Sequence, residues 1–237
     1  THAPRRGLCE ALGARNSAGR ARLPHQPVHR PDHAEQHPRR LCVREHRAPG
    51  GAGKSVFALQ LSVWLTSGAD TLGLGKAPID QSVAYLSAED PVPVLGERLY
   101  AIGELLSDQQ KMKVEDNLMV MPLDGIRPNL LSSTWIPALQ GLAEEHDLII
   151  FDTLRRFHEC DENDGGAMAR LLGNLELIAS RTGCSILFLH HTSKAALWNE
   201  AGDQQQASRG SSVLTDNVRW QSYLATMTPG EAKKYRI

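Results

Sequence analysis

Ala48-Pro49-Gly50-Gly51-Ala52-Gly53-Lys54-Ser55 runs straight into an apolar stretch, Val56 to Leu65. Three glycines in four residues, followed by a lysine and a hydroxyl at the mouth of a helix, can turn backbone N–H groups toward phosphate oxygens. The string meets the phosphate-binding pattern G-x-x-x-x-G-K-[ST] except at Ala48, where glycine is usual. On this reading Pro49, Gly50, Gly51, Ala52 and Gly53 cradle the phosphates of ATP. Lys54 bridges the β- and γ-phosphates, and Ser55 holds Mg2+. The plainer alternative is a glycine-rich turn that only opens a helix.

Downstream, short apolar runs alternate with helical stripes. Ser82–Ser87 (SVAYLS) reads as a buried strand stopped before Pro91. Leu118–Met121 is a second, and Asp147–Asp152 (DLIIFD) a third. Ser185–His190 (SILFLH) follows, then Val218–Leu224. Trp135, Ala138, Leu139 and Leu142 recur at helical spacing, as do Met168, Leu171, Leu172, Leu175, Ile178 and Ala179. Strands without polar alternation, separated by helices, predict an α/β fold: a mostly parallel, twisted sheet with helices on both faces. Ligands of such sheets sit at the carboxyl ends of the strands, so the polar residues there are the candidate site.

Asp152 ends the DLIIFD strand, where a carboxylate orients Mg2+ directly or through water. Glu89, just past SVAYLS, is placed to polarise an attacking water. Asp90 is its rival and also a candidate cap for the helix at Pro91. His190 and His191 follow SILFL, and alternation lets only one of them face the nucleotide. His191 is preferred as a γ-phosphate sensor. In the polar stretch Thr192–Ser208, Lys194 is a candidate phosphate contact. Arg209, or alternatively Arg219, is a candidate arginine finger reaching into a neighbouring subunit; such fingers contribute about 10³–10⁵ in rate.

The net charge of −1 conceals an asymmetry. Residues 1–47 carry ten Arg and four acids, the rest of the chain a net −7. The first segment also holds six His and five Pro, and no Lys, Ile, Phe, Tyr, Trp or Met. A basic nucleic-acid arm usually mixes Lys with Arg. Arginine alone, beside abundant Ala, Gly, Pro and His, matches a GC-rich gene read out of frame. Residues 1–47 are therefore read as disordered or out of frame, with native coding resuming near Pro49. On that reading Arg40–Arg47 (RLCVREHR) makes a poorly formed first strand. No run approaches 18 consecutive apolar residues, which excludes a membrane-spanning helix. Cys9, Cys42, Cys160 and Cys184 are widely spaced, and a reducing cytoplasm is the expected setting.

PGGAGKS, AYLSAEDP, FDTLRRFHE, Glu162-Asn163-Asp164, LFLHHTSK and GDQQQASRGSSVL together resemble the RecA-like AAA_25 group of ATPases. Within that group the likeness is to the hexameric replicative helicases (RepA type) of IncQ-type broad-host-range plasmids. It runs from about Pro49 to the C-terminus, where the family continues beyond Ile237, so residues 48–237 are read as a C-terminally truncated RecA-like ATPase domain. The resemblance implies a bacterial, plasmid-encoded, cytoplasmic ATPase. It would form a homohexameric ring that moves along single-stranded DNA with ATP and Mg2+ and unwinds duplex for plasmid replication. It assigns Lys54 and Ser55 to the P-loop, Glu89 to the catalytic carboxylate and Asp152 to the Walker B position. His191 takes the sensor position and Arg209 the finger acting in trans. Lys194 and Trp198 fall in a DNA-contacting channel loop, where Trp198 can stack on a base. The alternatives are a RecA-like ATPase that switches or recombines without unwinding, and an inactive fragment of such an ATPase.

Overall fold

The computed structural model describes residues 43–48, 50–78, 81–191, 213–224, 227 and 229–235. Residues 1–42 and the candidate positions Pro49, Lys194, Trp198 and Arg209 lie outside them. Six strands form one sheet: β1 (Val43–Ala48), β2 (Val83–Ser87), β3 (Leu118–Pro122), β4 (Leu148–Asp152), β5 (Ser185–His191) and β6 (Trp220–Tyr223). Their order across the sheet is β3-β2-β4-β5-β1-β6, and each of the five pairings is parallel. The α/β architecture expected from the apolar runs is thus the one observed.

Alternation along each strand divides the core in two. Ala84, Leu86, Ile149, Phe151, Ile186 and Phe188 point to one face, where they pack with α4 (Trp135–Glu145) and α5 (Gly165–Thr182). Val83, Tyr85, Ile150, Leu187 and Leu189 point to the other, under α1 (Lys54–Ser67), α2 (Val92–Gly103) and α3 (Asp108–Asn117). Two short helices, α6 (Val213–Asn217) and α7 (Pro229–Tyr235), flank β6. Asp164 caps α5, its carboxylate accepting from the N–H groups of Gly166 and Ala167. Ser107 and Gln110 form a capping box that starts α3. Among the described residues no helix is long and apolar enough to cross a membrane.

One expectation is overturned. The charged first strand is formed, and it lies inside the sheet between β5 and β6, so Val43–Ala48 belongs to the sheet. The ladder satisfies its backbone whatever the side chains are. The polar side chains then have to find partners within the core. Glu45, fully buried, faces α5 and meets His190 of β5; its Oε2 accepts from Gln221 Nε2 of β6 at 3.2 Å. His46, 3% exposed, faces α1, stacks on Phe57 and hydrogen-bonds Ser222. Burial holds the His46 imidazole down at about 4, so the ring is neutral.

Candidate active site

The carboxyl ends of β1, β2, β4 and β5 lie side by side and deliver Ala48, Ser87, Asp152 and His191 to one rim of the sheet. From β1 the chain turns through the glycine loop into α1. Gly51 and Gly53 have φ of +78° and +88°, a left-handed conformation that costs other residues roughly 1–2 kcal/mol. Ala48 itself is the buried last residue of β1. A strand position does not require glycine, which explains why the departure from the pattern at 48 leaves the loop intact.

Lys54, only 5% exposed, reaches back along the loop. Its Nζ donates to the Ala48 carbonyl at 3.0 Å and lies 3.2 Å from His191 Nδ1. Burial pulls the ammonium below the ordinary lysine range, against the upward pull of Glu89 and Asp152. A desolvated cation flanked by two carboxylates, at the N-terminus of a 14-residue helix, is suited to meet a polyanion.

His191 is the second member. Its Nε2 stands 3.5 Å from Glu89 Oε1, so one ring links the lysine to the carboxylate. Thr153 Oγ1 donates to the same oxygen at 2.8 Å, and Arg156 Nε lies 3.8 Å from it. His191, followed by the Thr153 hydroxyl, holds the Glu89 carboxyl below its usual range in spite of partial burial. The neighbouring candidates part company. Asp90 turns to an ion pair with Arg98 of α2, and it does not cap that helix, whose N-cap is Pro91 with no side-chain bond. His190 points to the α5 face, toward Glu45 and Glu162. Arg219 is exposed near the amino end of β6, where its N–H bonds the Val43 carbonyl. That is the opposite rim of the sheet from the cradle.

Asp152, fully buried, completes the group. Its Oδ2 accepts from the Tyr85 hydroxyl, and Ser55, the residue after Lys54, also hydrogen-bonds it. Its Oδ1 has no hydrogen-bond partner among the described residues. Burial pushes its carboxyl up, more than these two bonds push it down. A buried carboxylate oxygen with nothing to accept, beside a serine hydroxyl and a phosphate cradle, fits a divalent cation of the magnesium type.

Sequence reasoning passed over Tyr85, Thr153 and Arg156. Thr153 and Arg156 had a readable signal, since both stand within the FDTLRRF string immediately after Asp152. Tyr85 had none, because an aromatic within an apolar strand reads as core.

Residues 20–196 match a family described as AAA domain (AAA_25), well over half of the chain. Among solved structures, an ATPase domain superposes with a TM-score of 0.56 at 14% identity, over 79% of this chain and 70% of that one. The flagellar accessory protein FlaH from Methanocaldococcus jannaschii gives a TM-score of 0.42 at 14% identity, over 66% and 65% of the two chains, too distant to bear on the fold. With the parallel sheet and the loop at its rim, the family match settles the class: the chain belongs to the AAA_25 family of RecA-like P-loop ATPases.

Proposed function

We propose that this chain is the motor domain of an ATP-driven, single-stranded-DNA translocase that unwinds duplex in plasmid replication. It would act as a homohexameric ring with ATP sites at subunit interfaces. The observation that carries the reading is the chain of contacts from Lys54 through His191 to Glu89, with Ser55 and Asp152 joined beside it. Lys54, His191, Glu89 and Asp152 lie together at one rim of the sheet, which supports giving them the roles of cation, sensor, base and metal carboxylate. In this reading the backbone from Pro49 to Gly53 and the ammonium of Lys54 bind the phosphates. Ser55 and Asp152 hold Mg2+, which when bound neutralises charge on the transferred phosphoryl group.

Glu89 takes the proton of the attacking water. His191, in contact with both Lys54 and Glu89, senses whether the terminal phosphate is present. Arg209 acts as the finger from a neighbouring subunit, and Lys194 and Trp198 touch DNA in the channel. The match to a solved ATPase domain supports the fold, and the FDTLRRFH and GDQQQASRGSS strings support the plasmid-helicase reading. Two assays test the proposal: ATP hydrolysis with and without single-stranded DNA, and strand displacement on a forked duplex. DNA-stimulated hydrolysis with displacement is expected. Stimulated hydrolysis without displacement would leave a non-unwinding RecA-like ATPase, and no hydrolysis would leave an inactive fragment.

A further inference from the structure

We propose that Thr153 is a positioning residue for hydrolysis, anchoring one oxygen of Glu89 so that the other meets the attacking water. The proposal rests on Glu89 being the base. Glu89 lies beyond the end of β2, and its side chain retains 32% exposure, so packing alone does not fix its rotamer. The backbone leading to it is fixed. The Ala88 N–H donates to the Asp152 carbonyl at 2.8 Å, and the Leu123 N–H donates to the Ser87 carbonyl at 2.6 Å. The carboxylate needs a separate restraint, and three groups supply it: Thr153 Oγ1 at 2.8 Å, His191 Nε2 at 3.5 Å and Arg156 Nε at 3.8 Å.

All three address Oε1, and Thr153 makes the shortest contact, at hydrogen-bond distance. Among the described residues Oε2 is left as the accepting oxygen. The step it serves is simple. Water's oxygen bonds to the γ-phosphorus as the bond to the departing ADP oxygen breaks, and water's proton passes to Oε2.

Thr153 is rigid where Glu89 is not. It is 1% exposed and directly follows Asp152 at the end of β4. Beyond it the 3-10 turn Leu154–Phe157 is pinned by two buried side chains, by the edge-on contact of Phe157 with Phe151, and by the Leu130 N–H on the Phe157 carbonyl at 2.8 Å. The same strand end therefore carries the candidate metal carboxylate and the restraint on the base. Displacement of one by a fraction of an ångström is passed to the other. Errors of about 1 Å in such placements cost on the order of 10²-fold in rate.

The test compares Thr153→Val, Thr153→Ser and Glu89→Gln in the full chain, reading kcat, KM for ATP, the pH profile of kcat and the affinity for Mg-ATP. Thr153→Val keeps the shape and removes the donor. It should lower kcat by roughly 10- to 100-fold with KM and Mg-ATP affinity changed less than about threefold. It should also move the acid limb of the kcat profile to higher pH, because a donor that favours the ionised carboxylate has gone. Thr153→Ser should recover most of the rate and restore the acid limb. Wild-type kcat and an unmoved limb in Thr153→Val, with Glu89→Gln inactive, would overturn the positioning role alone. A serine variant as impaired as the valine one would also overturn it, since the methyl and not the hydroxyl would then matter. Undiminished hydrolysis by Glu89→Gln would instead remove the base assignment on which the proposal stands.

Discussion

Removing the buried ion pair of the first strand should stabilise the protein. Glu45 is fully buried and His190 is 1% exposed, with Oε1 and Nδ1 3.3 Å apart. Their facing atoms meet at ion-pair distance, and the other carboxylate oxygen of Glu45 accepts from Gln221 Nε2. On its other side His190 Nε2 lies 3.5 Å from Glu162 Oε1, which in turn is 3.8 Å from His158 Nε2. Burial alone would discharge His190, but the two carboxylates outweigh it and hold the imidazole above its usual range.

Replacing a buried pair by apolar residues of similar volume is often neutral or stabilising by about 1–4 kcal/mol, while removing one partner costs about 3–5. For Glu45→Val with His190→Leu, a gain of about 1 kcal/mol is expected, at the low end of that range because Gln221 loses its carboxylate acceptor and Glu162 its nearer imidazole. His190→Leu alone should cost about 3 kcal/mol, because Glu45 keeps Gln221 but it and Glu162 both lose the imidazolium between them. The contribution of His190 is complete below its unfolded value of about 6.5 and is lost as pH rises through the higher folded one. The advantage of the double variant over wild type should therefore be smallest near pH 6 and grow toward pH 9. Equilibrium unfolding in urea, followed by tryptophan fluorescence and circular dichroism, measures all three quantities. A double variant less stable than wild type, or an advantage that shrinks with rising pH, would show that the buried Glu45–His190 contact is net stabilising.

Two further variants address the cradle. Gly53→Ala has open space for its Cβ but sits at φ +88°, so thermal unfolding should show a loss of roughly 1–2 kcal/mol with the fold retained. Asp152→Asn keeps the shape but loses the charge proposed to meet Mg2+. Titration of a fluorescent ATP analogue should then show that most of the gain in affinity caused by Mg2+ has disappeared, while binding without the metal persists.

Where apolar periodicity and local chemistry agreed, the fold was legible. SVAYLS, DLIIFD and SILFLH became β2, β4 and β5, and the stripe from Met168 to Ala179 became the buried face of α5. The first strand was misjudged because side-chain polarity was weighed and backbone demand was not. A central strand hydrogen-bonds on both edges, and Glu45 and His46 found partners across β5, β6 and α1. The short α3 buries no residue and so has no apolar stripe; its visible trace was the Ser107-x-x-Gln110 box. At the site, strand alternation said only that one of His190 and His191 could face the cradle; it took coordinates to turn His191 toward Lys54 and His190 toward Glu45 and Glu162. The Thr153 bond to Glu89 was hidden because it joins residues 64 apart, a juxtaposition made only by the pairing of β2 with β4.

Whether Lys54 grips a triphosphate is read by binding of a slowly hydrolysed ATP analogue with Mg2+ to the wild-type chain and to Lys54→Ala. Saturable binding by the wild type is expected, weakened by at least about tenfold, or 1.4 kcal/mol, in the variant. Equal affinities in the two proteins, or no binding by a folded wild type, would contradict it.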